Sequence, residues 1–187
     1  MKDPEERRPE DHYIIQQLAL ATYKSKQPDA TTALREARDL LLTLDPDKTH
    51  DPETLGLLGA VWKHLYELDT VDRASLDRAI ASYEHGFYLK KDYYNGINLA
   101  YLLNLRASIS SGDEAVADDV LARRVRRKVV SICESIDLTK VSPADQYWIA
   151  ATLEEAYFGL GETTPQSSFL SFCSQEWAVA RSPLPDS

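Results

Sequence analysis

The chain has 187 residues, 43% of them hydrophobic, which suits one domain or a single compact array with a sizeable core. Its 30 acidic and 21 basic side chains give a formal net charge of -9, which argues against broad nucleic-acid or anionic-membrane binding and leaves room for a basic partner. Cys133 and Cys173 show no CxxC spacing, and the apolar runs fall far short of the roughly 18 residues of a membrane span, so a reducing, cytoplasmic setting is expected.

The opening MKDPEERRPED, residues 1–11, reads as a flexible, solvated lead-in with no apolar stretch of the kind a secretion signal needs. Helices are predicted over residues 11–26 and 30–44. The stretch DPETLGLLGAVWKHLYEL opens a third, 52–68, with Asp51 as N-cap and Pro52 at the first helical position. Two more are predicted over 73–90 and 93–107. Ser111 and Glu114 form a capping-box pattern ahead of a helix over 113–136. Ser142-Pro143 starts one over 143–160, Thr164-Pro165 starts one over 165–180, and residues 182–187 read as a flexible tail. No segment alternates like a strand.

Gly56 and Gly59 fall inside the third helix, where each costs about 1 kcal/mol against alanine. A phosphate-cradling loop places its glycines ahead of a helix, so these two point instead to close helix approach: Gly59 admits a neighbouring helix, and Gly56 faces the groove or a close contact.

Internal repetition decides between a bundle and a stack of hairpins. Leu55, Leu58, Gly59 and Trp62 hold the large, small and aromatic positions of a tetratricopeptide first helix, and Ala79, Tyr83 and Gly86 those of its second. Leu99, Ala100 and Leu103, together with Tyr23 before them and Tyr157 with Gly161 after them, mark weaker units. The spacings between Tyr23, Trp62, Leu103 and Tyr157 all exceed the roughly 34 residues of the standard repeat. The expectation is an all-α fold: stacked helix hairpins forming an irregular tetratricopeptide-like right-handed α-solenoid of about eight helices, over residues 12–181.

Three stretches, ETLGLLGAVWK, YEHGFYLKKDYYNGINLAYLL and DQYWIAATLEEAYFGLGE, together resemble the TRAFs-binding domain, the tetratricopeptide-like helical region of apoptosis signal-regulating kinases and their bacterial relatives. The likeness runs from about residue 14 to 161. It implies a helical scaffold that recruits or positions proteins; in bacteria, related domains accompany signalling or defence effectors such as TIR-containing proteins. After Gly161 the sequence departs from the pattern.

No residues converge on a reaction, so the chain is not read as an enzyme and no cofactor or metal is expected. His64 and Glu67 share a helix face, but two ligands make no zinc site, and a surface pair is the simpler reading. Cys133 lies on an apolar stripe with Val129, Val130, Ile132 and Ile136, as a core residue would, and Cys173 sits among Phe169, Phe172 and Trp177. GLG at Gly159 to Gly161 reads as a helix end. The basic run RRVRRK, Arg123 to Lys128, follows Asp118 and Asp119, with Asp119 in reach of Arg123, and reads as a charge-compensated outer helix face.

Function is expected in the groove that the first helices of such an array line. Its register brings Gln17, Lys24, Lys63, Tyr94, Asn98, Tyr101 and Asn104 to that side, polar and tyrosine groups suited to a peptide. Asn95 is alternatively a helix cap, and Asn98 a side chain bonded to nearby backbone. The preferred reading is a protein-protein interaction scaffold or regulatory domain. The rival is a sensor of a small anionic or nucleotide-like signal, with Lys24, Lys63 and the arginine run as its cations.

Overall fold

The computed structural model describes residues 9–162. Seven α-helices follow one another: α1 (Pro9–Ser25), α2 (Ala30–Leu42), α3 (Pro52–Leu68), α4 (Arg73–Lys90), α5 (Tyr93–Ile109), α6 (Gly112–Glu134) and α7 (Pro143–Leu160). A short 3-10 turn, Leu138–Lys140, precedes α7, and no strand occurs among the described residues. The helix predicted over 165–180, with Thr164-Pro165 and Cys173, lies outside the described residues, as does the 182–187 tail. α1 begins at Pro9, inside the stretch read as lead-in.

Helix starts are fixed by local chemistry. Asp29, Asp51, Asp72 and Asp92 accept hydrogen bonds from the backbone N–H groups of Thr32 (2.9 Å), Thr54 (3.3 Å), Ser75 (3.3 Å) and Asn95 (2.8 Å), and Ser142 accepts from that of Asp145 (3.1 Å). Each satisfies an N–H that the helix itself cannot. The Thr32 backbone holds the Asp29 carboxyl below its ordinary pKa, and the Ser75 hydroxyl does the same for Asp72. The cap of α5 is therefore Asp92, and Asn95 reinforces it, donating through Nδ2 to the second Asp92 oxygen at 2.8 Å. Ser111 stands at the cap position of α6 but makes no side-chain capping bond. Its expected partner Glu114 turns instead to Arg73 (3.8 Å), which also donates to Ser110 Oγ at 2.7 Å; the cross-hairpin cation outcompetes the local box. At the other end of α7, Gly161 takes the left-handed φ of 71° and closes the helix, as GLG suggests.

The helices pair as α1/α2, α3/α4 and α5/α6, and each hairpin packs on the next. α1 touches α3, α3 touches α5 and α5 touches α7, whereas α2, α4 and α6 make no comparable contact with one another. The first helices are thus drawn together along one side, the second helices fan apart on the other, and the array is a tetratricopeptide-like solenoid with its inner face on α1, α3, α5 and α7. One apolar core runs between the layers through Leu41, Val61, Leu76, Tyr83, Phe87, Leu99, Leu102, Val125, Val129 and Ile149. Cys133 belongs to it, and burial pushes its thiol up to about 12, so it is an inert core residue.

The small residues sit at the crossings. A Cβ on Gly59 would lie 2.8 Å from Tyr83 Cδ2, and one on Gly56 would lie 3.0 Å from Asn95 Oδ1 and 3.2 Å from Tyr94 Cε1. Gly59 admits the α4 ring, and Gly56 admits α5. One turn along α3 from Gly59, Trp62 is held between the guanidinium groups of Arg38 (5.5 Å) and Arg78 (4.9 Å).

Candidate binding groove

Along α3, Gly56 and Lys63 share a stripe that meets α5, with Gly59 between them against the α4 ring of Tyr83. On α5, Tyr94, Asn98 and Tyr101 form the facing stripe. Lys63 Nζ donates to Asn98 Oδ1 at 3.0 Å and lies 5.9 Å from the centroid of the Tyr101 ring, so one ammonium links the two hairpins by a hydrogen bond and a cation–π contact. Asn98 Nδ2 in turn donates to the Tyr94 carbonyl at 2.9 Å, which fixes the amide orientation. Tyr94 and Tyr101 remain 48% and 43% exposed, enough to meet an incoming molecule with their rings.

The residues expected in the groove divide. Lys63, Tyr94, Asn98 and Tyr101 come together. Lys24 is exposed on α1 and lines an adjoining cleft of about 540 Å³ with Tyr23, Leu34, His64 and Glu67, beside the main stripe rather than on it. Gln17 is exposed on α1; its neighbour Gln16 is buried and donates to Thr54 Oγ1 at 2.8 Å, tying α1 to α3. Asn104 is half-buried in the α5–α6 contact, where it donates to Asp119 Oδ1 at 3.2 Å and accepts from Arg126. His64 Nδ1 lies 2.7 Å from Glu67 Oε2, a surface pair at the rim. Among the described residues no three His, Cys, Asp or Glu side chains gather as a metal site would require.

The basic run is not a uniform outer face. Arg123, Arg124, Arg127 and Lys128 are exposed, and Arg123 pairs with Asp119 as expected. Arg126 is only 5% exposed: it turns inward to Asn104 and lies against α7 at Gly159, where a Cβ would fall 2.1 Å from its Nε. Burial lowers its pKa, opposed by the nearby Glu155 and Asp119 carboxylates. Glu155 on α7 is itself raised by burial, against the pull of Arg126 and Lys63. Spacing carries part of the signal, since Arg126 lies on the stripe of Ala122, Val129 and Cys133, while the space for it comes from Gly159 of another helix. Replacing Arg124 and Arg127 together with glutamine is expected to change stability by no more than about 0.5 kcal/mol, because exposed ion pairs contribute little. A chemical denaturation midpoint well below that of the parent would show that these two arginines are not solvated.

Tyr23 and Tyr83, which the repeat pattern names as packing positions, form a second feature with the groove residue Tyr94. Tyr83 is fully buried, its ring edge-on to Tyr94 at 6.1 Å, and Tyr23 lies 5.9 Å from the His64 ring.

No helix among the described residues is long and apolar enough to cross a membrane. A family model described as Tetratricopeptide Repeats-Sensor matches residues 2–103, which takes in α1 through α4 and most of α5. Neither the curated proteins nor the solved structures yield a match.

Proposed function

The chain belongs to the Tetratricopeptide Repeats-Sensor family, and from that membership we propose that it is a non-catalytic, cytoplasmic regulatory module whose inner face receives a segment of a protein partner. The observation that carries this reading is the joint presentation of Lys63, Tyr94, Asn98 and Tyr101 from two successive hairpins. Tyrosines give large contact area with few rotamers to freeze, and the linked lysine and asparagine give polar anchoring, the mixture that peptide-binding surfaces use. Residues 12–181 are taken as the functional unit, with Gln17, Lys24 and Asn104 as its outlying contributors. The likeness of ETLGLLG and YNGIN to TRAFs-binding domains supports a signalling or defence effector as the partner.

Tyr101→Ala tests the reading. An anchor near the centre of such a surface contributes about 2 kcal/mol, so capture of the native partner is expected to weaken roughly thirtyfold while the melting temperature moves little. A folded Tyr101→Ala protein that binds its partner as tightly as the parent would overturn it.

The word sensor in the family description favours a second reading, a sensor domain, and Lys24, Lys63 and the arginine run would suit a small anionic or nucleotide-like signal. A ligand that binds only the folded state raises the melting temperature by mass action, so a thermal-shift series with such compounds separates the two.

A further inference from the structure

On the outer side of the array, a cleft of about 540 Å³ opens over α3 between α4 and the end of α2, two helices that make no comparable contact with each other. None of the inner-stripe residues lines it. Its floor is the flank of α3 that carries Leu55, Leu58 and Trp62, at the i, i+3, i+7 spacing of one helix face. Its α4 wall holds Arg78 and His85, two helical turns and so about 10 Å apart, with the small residues Ala81 and Ser82 between them. The facing rim is the turn between α2 and α3, where Asp45 and Asp47 stand beside the exposed Leu42. Charge is separated along this cleft. Arg78 lies at the Trp62 end, its guanidinium 4.9 Å from the ring centroid, whereas the turn with the two aspartates leads into the start of α3, the Leu55 end. Asp45 is engaged by Lys48 at 3.0 Å. The Asp47 carboxylate and the Arg78 guanidinium make no hydrogen bond or ion pair among the described residues.

We propose that this cleft is a second docking site, separate from the inner face, for an amphipathic helical segment of a protein partner. The segment seats an acidic side chain on Arg78, apolar side chains on Leu55 and Leu58, and a basic side chain at Asp47. Its two charges stand two turns apart, as the opposite charges of the cleft do, with apolar residues at i+3 and i+4 between them. Ala81 and Ser82 leave the middle of the α4 wall low, so an incoming helix can approach the floor there. Contact with the buried Trp62 ring holds the Arg78 fork in place before any partner arrives, and a guanidinium so placed keeps N–H groups for a carboxylate. Charge-assisted bonds of this kind are the stronger ones. A segment with charges of one sign at both ends would meet a like charge at one end of the cleft, so the arrangement selects a mixed pair.

The test uses the full chain and a fluorescein-labelled, alanine-based helical peptide with Glu at position i, Leu at i+3 and i+4, and Lys at i+7, followed by fluorescence anisotropy. Saturable binding at micromolar protein is expected, and about tenfold weaker binding by the peptides with Glu at both charged positions or Lys at both. Arg78→Gln and Asp47→Asn should each weaken the mixed peptide about tenfold. Arg78→Gln should add nothing further when the peptide's Glu is replaced by Gln, because the two changes remove the same contact. Asp47 is exposed and unpaired among the described residues, so its variant reads binding with the fold intact even if Arg78→Gln lowers the melting temperature through Trp62. The proposal is overturned if the mixed peptide does not bind saturably, if a single-sign peptide binds as tightly, or if either variant binds the mixed peptide as the parent does. Loss of the peptide in Tyr101→Ala would overturn it too, by placing the probe on the inner face.

Discussion

Gly59→Leu is expected to lower the unfolding free energy by about 3 kcal/mol, at the upper end of what overpacking a well-filled core costs. Even the first carbon of a new side chain would stand 2.8 Å from Tyr83 Cδ2, 2.9 Å from Cε2 and 3.0 Å from Cγ. Those atoms belong to a ring that is itself fully buried, so it cannot swing into solvent to make way. Either α3 and α4 separate or the tyrosine leaves its rotamer, and both disturb the core from Leu55 to Phe87. The roughly 1 kcal/mol gained by removing a glycine from a helix interior offsets only part of this. Urea denaturation at matched conditions measures the effect. A midpoint equal to that of the parent would show that no helix approaches at Gly59.

Leu99→Ala should cost a similar amount, about 3 kcal/mol, and lower the melting temperature by roughly 10 °C in a chain of this size. Leu99 is completely buried on α5 between the layers, and deleting it leaves a void that packed helices fill only in part. Its value lies in the contrast with Tyr101, two residues on and 43% exposed on the same helix, whose loss should weaken binding and spare the fold. Calorimetric melting of the two variants side by side reads the register of α5 directly. If Leu99→Ala melts with the parent and Tyr101→Ala unfolds, the faces of α5 are assigned the wrong way round.

What sequence reveals here follows the range of the interaction. α3, α4 and α7 have the predicted bounds to the residue, because an aspartate or serine cap, twice followed by proline, acts within a single turn. α2 and α6 each end two residues before the predicted limit and α5 runs two beyond it; no glycine closes these helices, so tertiary contacts set their ends. The Gly59 crossing was legible because a tetratricopeptide unit places its small and aromatic positions at fixed spacing, and Tyr83 is the very aromatic the pattern names. The full burial of its hydroxyl beside Tyr94 was not, since that depends on what surrounds the ring tip rather than on spacing. Arg126 shows the limit most plainly. A pattern that counts every arginine as polar assigns it to solvent, whereas its burial depends on Gly159, a residue of another helix and far along the chain. Asn104 follows the same logic: helical spacing aligned it with Tyr101, but Arg126 and Asp119 draw it into the α5–α6 seam.

The fan of the second helices has a mechanical side. Neighbouring hairpins meet chiefly where a second helix packs on the following first helix, α2 on α3, α4 on α5 and α6 on α7, with the first helices touching on the inner side and the second helices standing apart on the outer, so a rotation of one hairpin against the next pivots on those seams. Displacement grows with distance from a pivot. The Lys63 to Asn98 bond joins the α3/α4 and α5/α6 hairpins on the inner side of the α4–α5 seam, close to the pivot, so a small change there corresponds to a larger one at the far ends of α4 and α6. The solenoid is in that sense a train of short levers, read out on its convex back.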